Sequence, residues 1–420
     1  MKLFAFQGIR YRAAAGDPGA QVAPPYDQID DRLRDALHAA SPHHFAHLIR
    51  PLADPEIGAL DPYLHAAELH RSWLAGGVIA ADATPALYPY TIALPSGSRR
   101  LGICGLVGLE APETRVIRPH EQTLDKPLAD RLALLRATRV DLEPVLLVAE
   151  DGGALEELLA ADSAGEPLAV HRDPAGNRHL LHRVDAPERI ATYQRALADA
   201  PAAIADGHHR YKVALRYAAE TAPAAASPAS AKLAVITSVA SSELAIDPIH
   251  RGLEQPVALD RLHPLLAARR PWSRGAAERS EDGRAFAAAV AAAPPPALGV
   301  WPTGGAPEIW QLEPTTAPAG VSPASARLTV VLLQGALLPA LGLGGEAATD
   351  GTVVYRADPE TLREQVASGR LALGFWLPPM LPSEFAAAIA EGAMLPPKST
   401  RFLPKVMSGL VWADHDARLA

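Results

Sequence analysis

"AAIADGHHRYKVALRYAAE", residues 202–220, decides how this chain of 420 residues is read. A short apolar run ends in Asp206 and Gly207, and Tyr211, Ala214, Leu215 and Ala218 then recur at helical spacing. That pattern predicts a strand, a tight turn and a helix, the repeating corner of an α/β protein. His208, His209 and Arg210 stand at the mouth of the helix. Two imidazoles, a guanidinium and a carboxylate within five residues admit three readings: a metal site, a phosphate cradle or a plain polar turn.

A metal site needs imidazoles that converge on one ion. Adjacent His208 and His209 leave a helix about 100° apart, which is poor geometry for joint ligation. His65 and His70 lack the spacing of a zinc-protease pair, and His43 and His47, correctly spaced if helical, read as surface or partly packed residues. A phosphate cradle is physically better served. The first turn of a helix offers unpaired N–H groups and the positive end of the dipole. Gly207 lets a phosphate approach the backbone, Arg210 can grip its oxygens in two parallel bonds, and either histidine can add a donor. Asp206 would repel that phosphate unless Mg²⁺ lies between them or the carboxylate binds another group.

Two further segments carry chemistry. "RPHEQT" (118–123) puts Glu121 after Pro119 and His120 at a strand end, where a carboxylate can take a hydroxyl proton during group transfer. "MLPPKSTRFLPK" (394–405) gathers Lys398, Ser399, Thr400 and Arg401 after two prolines, without the glycines of a Walker loop.

Composition narrows the classes. Hydrophobic residues make up 49% and charged residues 20%, ordinary globular material for two or three domains. A net charge of −8 argues against broad adhesion to nucleic acid. Cys104, the single cysteine, excludes an intrachain disulfide and a cysteine-rich zinc site. The N-terminal apolar run is too short for a signal peptide and no stretch reaches the ~18 residues of a membrane span, so the expectation is a soluble cytoplasmic protein.

Periodicity predicts a helix over 61–75, capped by Asp61. It predicts strands at "ALYPYTIAL" and "LGICGLVGLE" joined by "PSGSRR", and a helix from about Pro127 with Leu128, Leu132 and Leu135 inward. "EPVLLVAE" (143–150), "HLLHRV" (179–184) and "LAVITSVAS" (233–241) read as strands, with a helix near 187–199. "TAPAAASPASA" (221–231) reads as a flexible connector.

"VAPPYD", "PHEQTLDKPLADRLALLRAT", "IADGHHRYKVAL" and "PPKSTRFLPKVMSGLV" together resemble the bacterial family known as domain of unknown function 1015. More distantly, "PHE", "DGHHR" and "PPKSTR", in that order, resemble the free-serine kinases of the ParB-like and sulfiredoxin-like superfamily. That resemblance implies an α/β (mixed α+β) fold with a ParB/sulfiredoxin-like core and large insertions. It implies an N-terminal segment over 1–110, a nucleotide-binding core over 111–255 with an insertion near 151–200, and a C-terminal segment over 256–420. It makes Glu121 the general base beside His120. Asp206, Gly207, His208, His209 and Arg210 would organise phosphates, with Asp206 as a Mg²⁺ ligand. Lys398, Ser399, Thr400 and Arg401 would close over nucleotide or substrate. Apart from the resemblance, Arg131 or Arg139, placed after "PHEQT", could hold a substrate carboxylate. The implied activity is phosphoryl transfer from ATP or ADP to a small hydroxyl compound, serine first. A nucleotide-binding or hydrolysing regulatory module without kinase activity is the alternative.

Overall fold

In the computed structural model the chain is described throughout except at residues 56, 57, 59, 122–124, 225–226, 273–281, 314–316, 319, 344–350 and 418–420. The fold is mixed α/β. It divides into two compact units, one formed by Met1–Leu244 with Pro404–Ala420 and the other by Ala245–Leu403.

The first unit is built on a nine-stranded mixed sheet. Ile117–Arg118 lies at one edge and pairs in parallel with Ala202–Asp206, Ala202 opposite Ile117 and Ala203 opposite Arg118. Val145–Ala149 runs antiparallel to Ala202–Asp206 and parallel to Ala231–Ser238. The hairpin Tyr88–Ala93 and Arg99–Gly108 follows, as the sequence predicts. Alternation is weak in these strands because both faces are covered: Val145, Leu147, Ile204 and Ile236 on one face and Leu146 and Val148 on the other are all nearly inaccessible. Burying each is worth about 1.5–3 kcal/mol. Cys104, in the strand Arg99–Gly108, is buried too.

The segment read as an insertion has a defined place. Arg178–Leu181 pairs with Tyr88–Ala93 and Ala169–Arg172 pairs with Arg178–Leu181, extending the sheet at the edge opposite Ile117–Arg118. Its helices Ala154–Asp162 and Pro187–Leu197 send Leu155, Leu159, Tyr193 and Leu197 into the main core.

The helix Pro62–Ala75 has the expected Asp61 cap, whose carboxylate accepts from Tyr63 and Leu64 N–H. The next helix is Asp125–Thr138, two residues longer at its start than expected. Pro127 is its third residue, where no intrahelical N–H bond is lost. Leu128 and Leu132 pack on Val213 and Tyr217 of the helix His208–Thr221, with Leu135 beside them. Of the predicted connector, Pro228–Ser230 forms a 3₁₀ turn and Ala231 already belongs to a strand.

The second unit holds a six-stranded antiparallel sheet in the order Leu266–Pro271, Glu308–Leu312, Ala297–Pro302, Leu373–Trp376, His250–Leu253, Val353–Arg356. Phe286, Val290, Leu362 and Val366, from the helices Gly283–Ala291 and Pro359–Ala367, pack with Trp301 and Trp376 in its core. A short ladder joins Ala245–Asp247 to Arg401–Leu403. Among the described residues no helix is long and apolar enough to cross a membrane.

Candidate functional site

The two parallel strands at the sheet edge end side by side. Pro119, His120 and Glu121 follow Ile117–Arg118, and Gly207 with the helix His208–Thr221 follows Ala202–Asp206. The carboxyl ends of parallel strands and the amino end of a helix are where α/β proteins receive anionic ligands.

Gly207 makes the turn with φ +92°. A Cβ there would stand 2.9 Å from Val145 Cγ1 and 3.1 Å from the Arg210 guanidinium carbon, so space and backbone both require glycine. Gly207 provides no side-chain cap, and the first intrahelical bond is Tyr211 N–H to Gly207 O. The helix mouth thus lacks a built-in carboxylate cap.

His208 ties the two strand ends together. Its Nε2 accepts the backbone N–H of His120 across 3.3 Å, and the rings meet edge to face with centroids 4.4 Å apart. Both residues are buried. Burial lowers the His208 pKa to about 4, against the pull of Asp206. Burial and the neighbouring His208 hold His120 well below the ordinary histidine value, although its ring bonds the Ile204 backbone. Both rings are therefore neutral at physiological pH. Glu121 is half-buried directly after His120. Gln122 and Thr123 lie outside the described residues. His209 is half-buried beside His208.

Asp206 settles the conflict raised by its charge. One carboxylate oxygen accepts from Arg210 NH2 at 2.5 Å and the other from Lys405 Nζ. Burial pushes its pKa up, but Arg210 and Lys405 outweigh this and hold it below the usual carboxylate value. With both oxygens taken by cations, Asp206 does not fit a metal ion: a divalent ligand role would require displacing Lys405 or Arg210. No cluster of three or more metal-ligating side chains occurs among the described residues. The carboxylate binds another group, and the Mg²⁺ ligand expected at Asp206 is not the arrangement found.

Arg210 also differs from expectation. Its guanidinium is turned inward, to Asp206 and to Pro144 O, and the residue is only 7% exposed. It sits behind the corner as a counter-ion, with NH1 on Pro144 O and NH2 on Asp206 and not turned to the front of the helix mouth. Asp206 faces two cations, and Glu143 and Asp27 also act on Arg210, so the helix dipole is what this corner offers an anion.

Lys405 is the residue that sequence reasoning missed. It lies inside the quoted "PPKSTRFLPKVMSGLV" yet 199 positions from Asp206, a separation no local pattern bridges. Arg100 NH2 fixes the preceding Pro404 O at 2.5 Å. The following segment is held as firmly: Met407 N–H donates to Tyr90 Oη, and Ser408 exchanges backbone bonds with Ala23 of "VAPPYD". Glu143 was read only as a strand border. Its Oε1 accepts from Tyr26 N–H at 3.0 Å and Ser408 Oγ at 3.2 Å, and Arg131 lies 3.7 Å from Oε2.

That contact shows what Arg131 does. It is buried, donates to Ile49 O at 2.7 Å, and lies over the Tyr26 ring at 4.3 Å. Arg139 is exposed and pairs with Asp416 at 2.5 Å. Neither faces the corner as a substrate hand. Lys398, Ser399, Thr400 and Arg401 belong to the second unit. There Arg251 holds Lys398 O at 2.9 Å, Ser399 Oγ donates to Pro396 O at 2.5 Å, and Arg401 approaches Asp247 at 3.9 Å. Lys398 has φ +58°, and its side chain is exposed.

Residues 3–272 match the family model described as protein of unknown function (DUF1015). The chain belongs to this family. No curated protein matches this DUF1015 chain significantly. Among solved structures it is similar to a conserved hypothetical protein from Pyrococcus furiosus, with 13% identity over 69% of this chain and 87% of that one, TM-score 0.31. It is similar to a free serine kinase in complex with AMP, with 14% identity over 70% and 89%, TM-score 0.33. A third is C-terminally truncated SbnI from Staphylococcus aureus, with 11% identity over 72% and 84%, TM-score 0.37.

Proposed function

We propose that this DUF1015 protein is a nucleotide-dependent phosphotransferase acting on a small hydroxyl compound, with serine the first acceptor to test. One observation carries the reading: the His120–His208 bond brings a carboxylate-bearing strand end beside a glycine-capped helix mouth. A base and an anion cradle side by side are what in-line phosphoryl transfer requires, since the chemistry depends on alignment and charge neutralisation.

In this reading the nucleotide phosphates, from ATP or ADP, rest on the first-turn N–H groups after Gly207. Lys405, already bonded to Asp206, supplies positive charge. Glu121 accepts the proton as the acceptor hydroxyl oxygen bonds to phosphorus, and the bridging P–O bond breaks to leave ADP from ATP, or AMP from ADP. Asp206 and Arg210 hold the turn. The role of Lys398, Ser399, Thr400 and Arg401 on the nucleotide rests on the resemblance alone, and Mg²⁺ is not assigned to Asp206.

A second reading is a ParB-like nucleotide-binding regulatory module without transfer. The neutralised Asp206 favours it, because the corner can then hold an anion without metal or chemistry. The deciding test is ³¹P NMR of the protein with ATP or ADP, with and without Mg²⁺, and a panel of hydroxyl amino acids. A new phosphomonoester that needs the amino acid supports transfer. Nucleotide binding with no product in any arm replaces it with the regulatory reading.

A further inference from the structure

At the far end of the His208–Thr221 helix from this corner lies a pocket of about 410 Å³, with Arg139, Tyr217, Ser227 and His415 in its wall. His415 is 7% exposed, and neither ring nitrogen has a hydrogen-bond partner. Buried polar atoms are nearly always paired, so two orphans on one ring call for an explanation. The same ring also lines a small pocket of about 50 Å³ with Asp141 and Lys232. Those two bond each other and leave His415 alone. Tyr217 is 5% exposed, its ring centroid is 5.5 Å from that of His415, and its Oη makes no hydrogen bond among the described residues.

The sign of the charge decides what fits. Arg139 is neutralised by Asp416 at 2.5 Å. Two helices, Asp125–Thr138 and His208–Thr221, both end at this pocket, carbonyl ends first. Each contributes about half a negative charge. The balance excludes an anion and favours a cation. Burial lowers the His415 pKa, so the neutral ring keeps one nitrogen as an acceptor. Pro223 and Ala229 supply an apolar wall.

We propose that this pocket binds a small organic ammonium ion. The ammonium donates to the bare His415 nitrogen and to Tyr217 Oη and lies against the Tyr217 ring, while its hydrocarbon part meets Pro223 and Ala229. The proposal is independent of the phosphotransfer reading.

The test follows the His415 ring signals by NMR, assigned with His415→Gln, during titration with butylammonium and, separately, butyrate. The expected result is a saturable shift with butylammonium, none with butyrate, and at least fivefold weaker binding in Tyr217→Phe. Tyr217→Phe keeps the packing, so it remains informative if His415→Gln folds poorly, the ring signals then being assigned through their contacts with Tyr217. Butyrate binding as well as the amine, no saturation with either probe, or unchanged binding in Tyr217→Phe would each overturn the proposal.

Discussion

The backbone N–H of His120 bonds Nε2 of His208 across 3.3 Å, joining residues 88 positions apart. The bond leaves Nε2 without a proton, so the neutral ring carries its hydrogen on Nδ1. Protonation of His208 would break the tie and place a charge in a buried site.

Acid should therefore loosen the protein. The folded pKa of His208, about 4, lies below the ordinary 6.5. Between those values the unfolded chain holds the extra proton, so the stability this group contributes is complete above about pH 6.5 and drains away as pH falls to about 4. The loss is on the order of 3 kcal/mol for this ring. His70, His179 and His250 are lowered to about 4 by burial as well and act in the same direction. Urea midpoints should fall steeply from pH 7.5 to 5, and less steeply in His208→Gln. Equal midpoints at the two pH values would contradict this.

Asp206→Asn should be the most damaging change at the corner. It leaves the buried Arg210 and the half-buried Lys405 without their counter-charge, a cost of about 3–5 kcal/mol. Lys405→Met removes one of two cations and leaves the Arg210 pair intact, so its cost is smaller. Denaturant unfolding of both variants checks the order, and the reverse order refutes the arrangement.

Gly207→Ala meets both a left-handed backbone and a crowded Cβ site. The conformational cost is about 1–2 kcal/mol, with further cost from the contact with Val145. Thermal unfolding should show a clear loss of stability. A variant as stable as the parent would mean that the turn is not built as described.

Arg131, in the helix Asp125–Thr138, and Arg139, just past its end, should separate cleanly. Arg131→Ala removes the cation 3.7 Å from the buried Glu143 carboxylate and should cost about 3 kcal/mol. Arg139→Ala removes an exposed pair and should cost under about 1 kcal/mol. Comparable losses in chemical denaturation would deny the distinction.

The corner at 206–210 was legible because an apolar run, Asp-Gly and a helical period follow one another without interruption. The pairing of its two motifs was legible only through resemblance. What stayed hidden was direction. Nothing in the spelling of "DGHHR" tells whether Arg210 faces solvent or the core, and its choice depends on Pro144 O, 66 positions away. Lys405 and Glu143 were hidden for the same reason: Asp206 lies 199 positions from Lys405, and Tyr26 and Ser408 lie 117 and 265 positions from Glu143. The helix at Asp125 began early because a proline in a first turn costs nothing.

The most direct test compares the wild type with Glu121→Gln. Nucleotide binding by calorimetry and phosphoryl transfer by ³¹P NMR are measured on the same preparations. The account predicts nearly equal nucleotide affinity and a rate of transfer lower by about 10²–10⁴. Transfer at the wild-type rate in Glu121→Gln, or no transfer by the wild type to any hydroxyl acceptor, would contradict it.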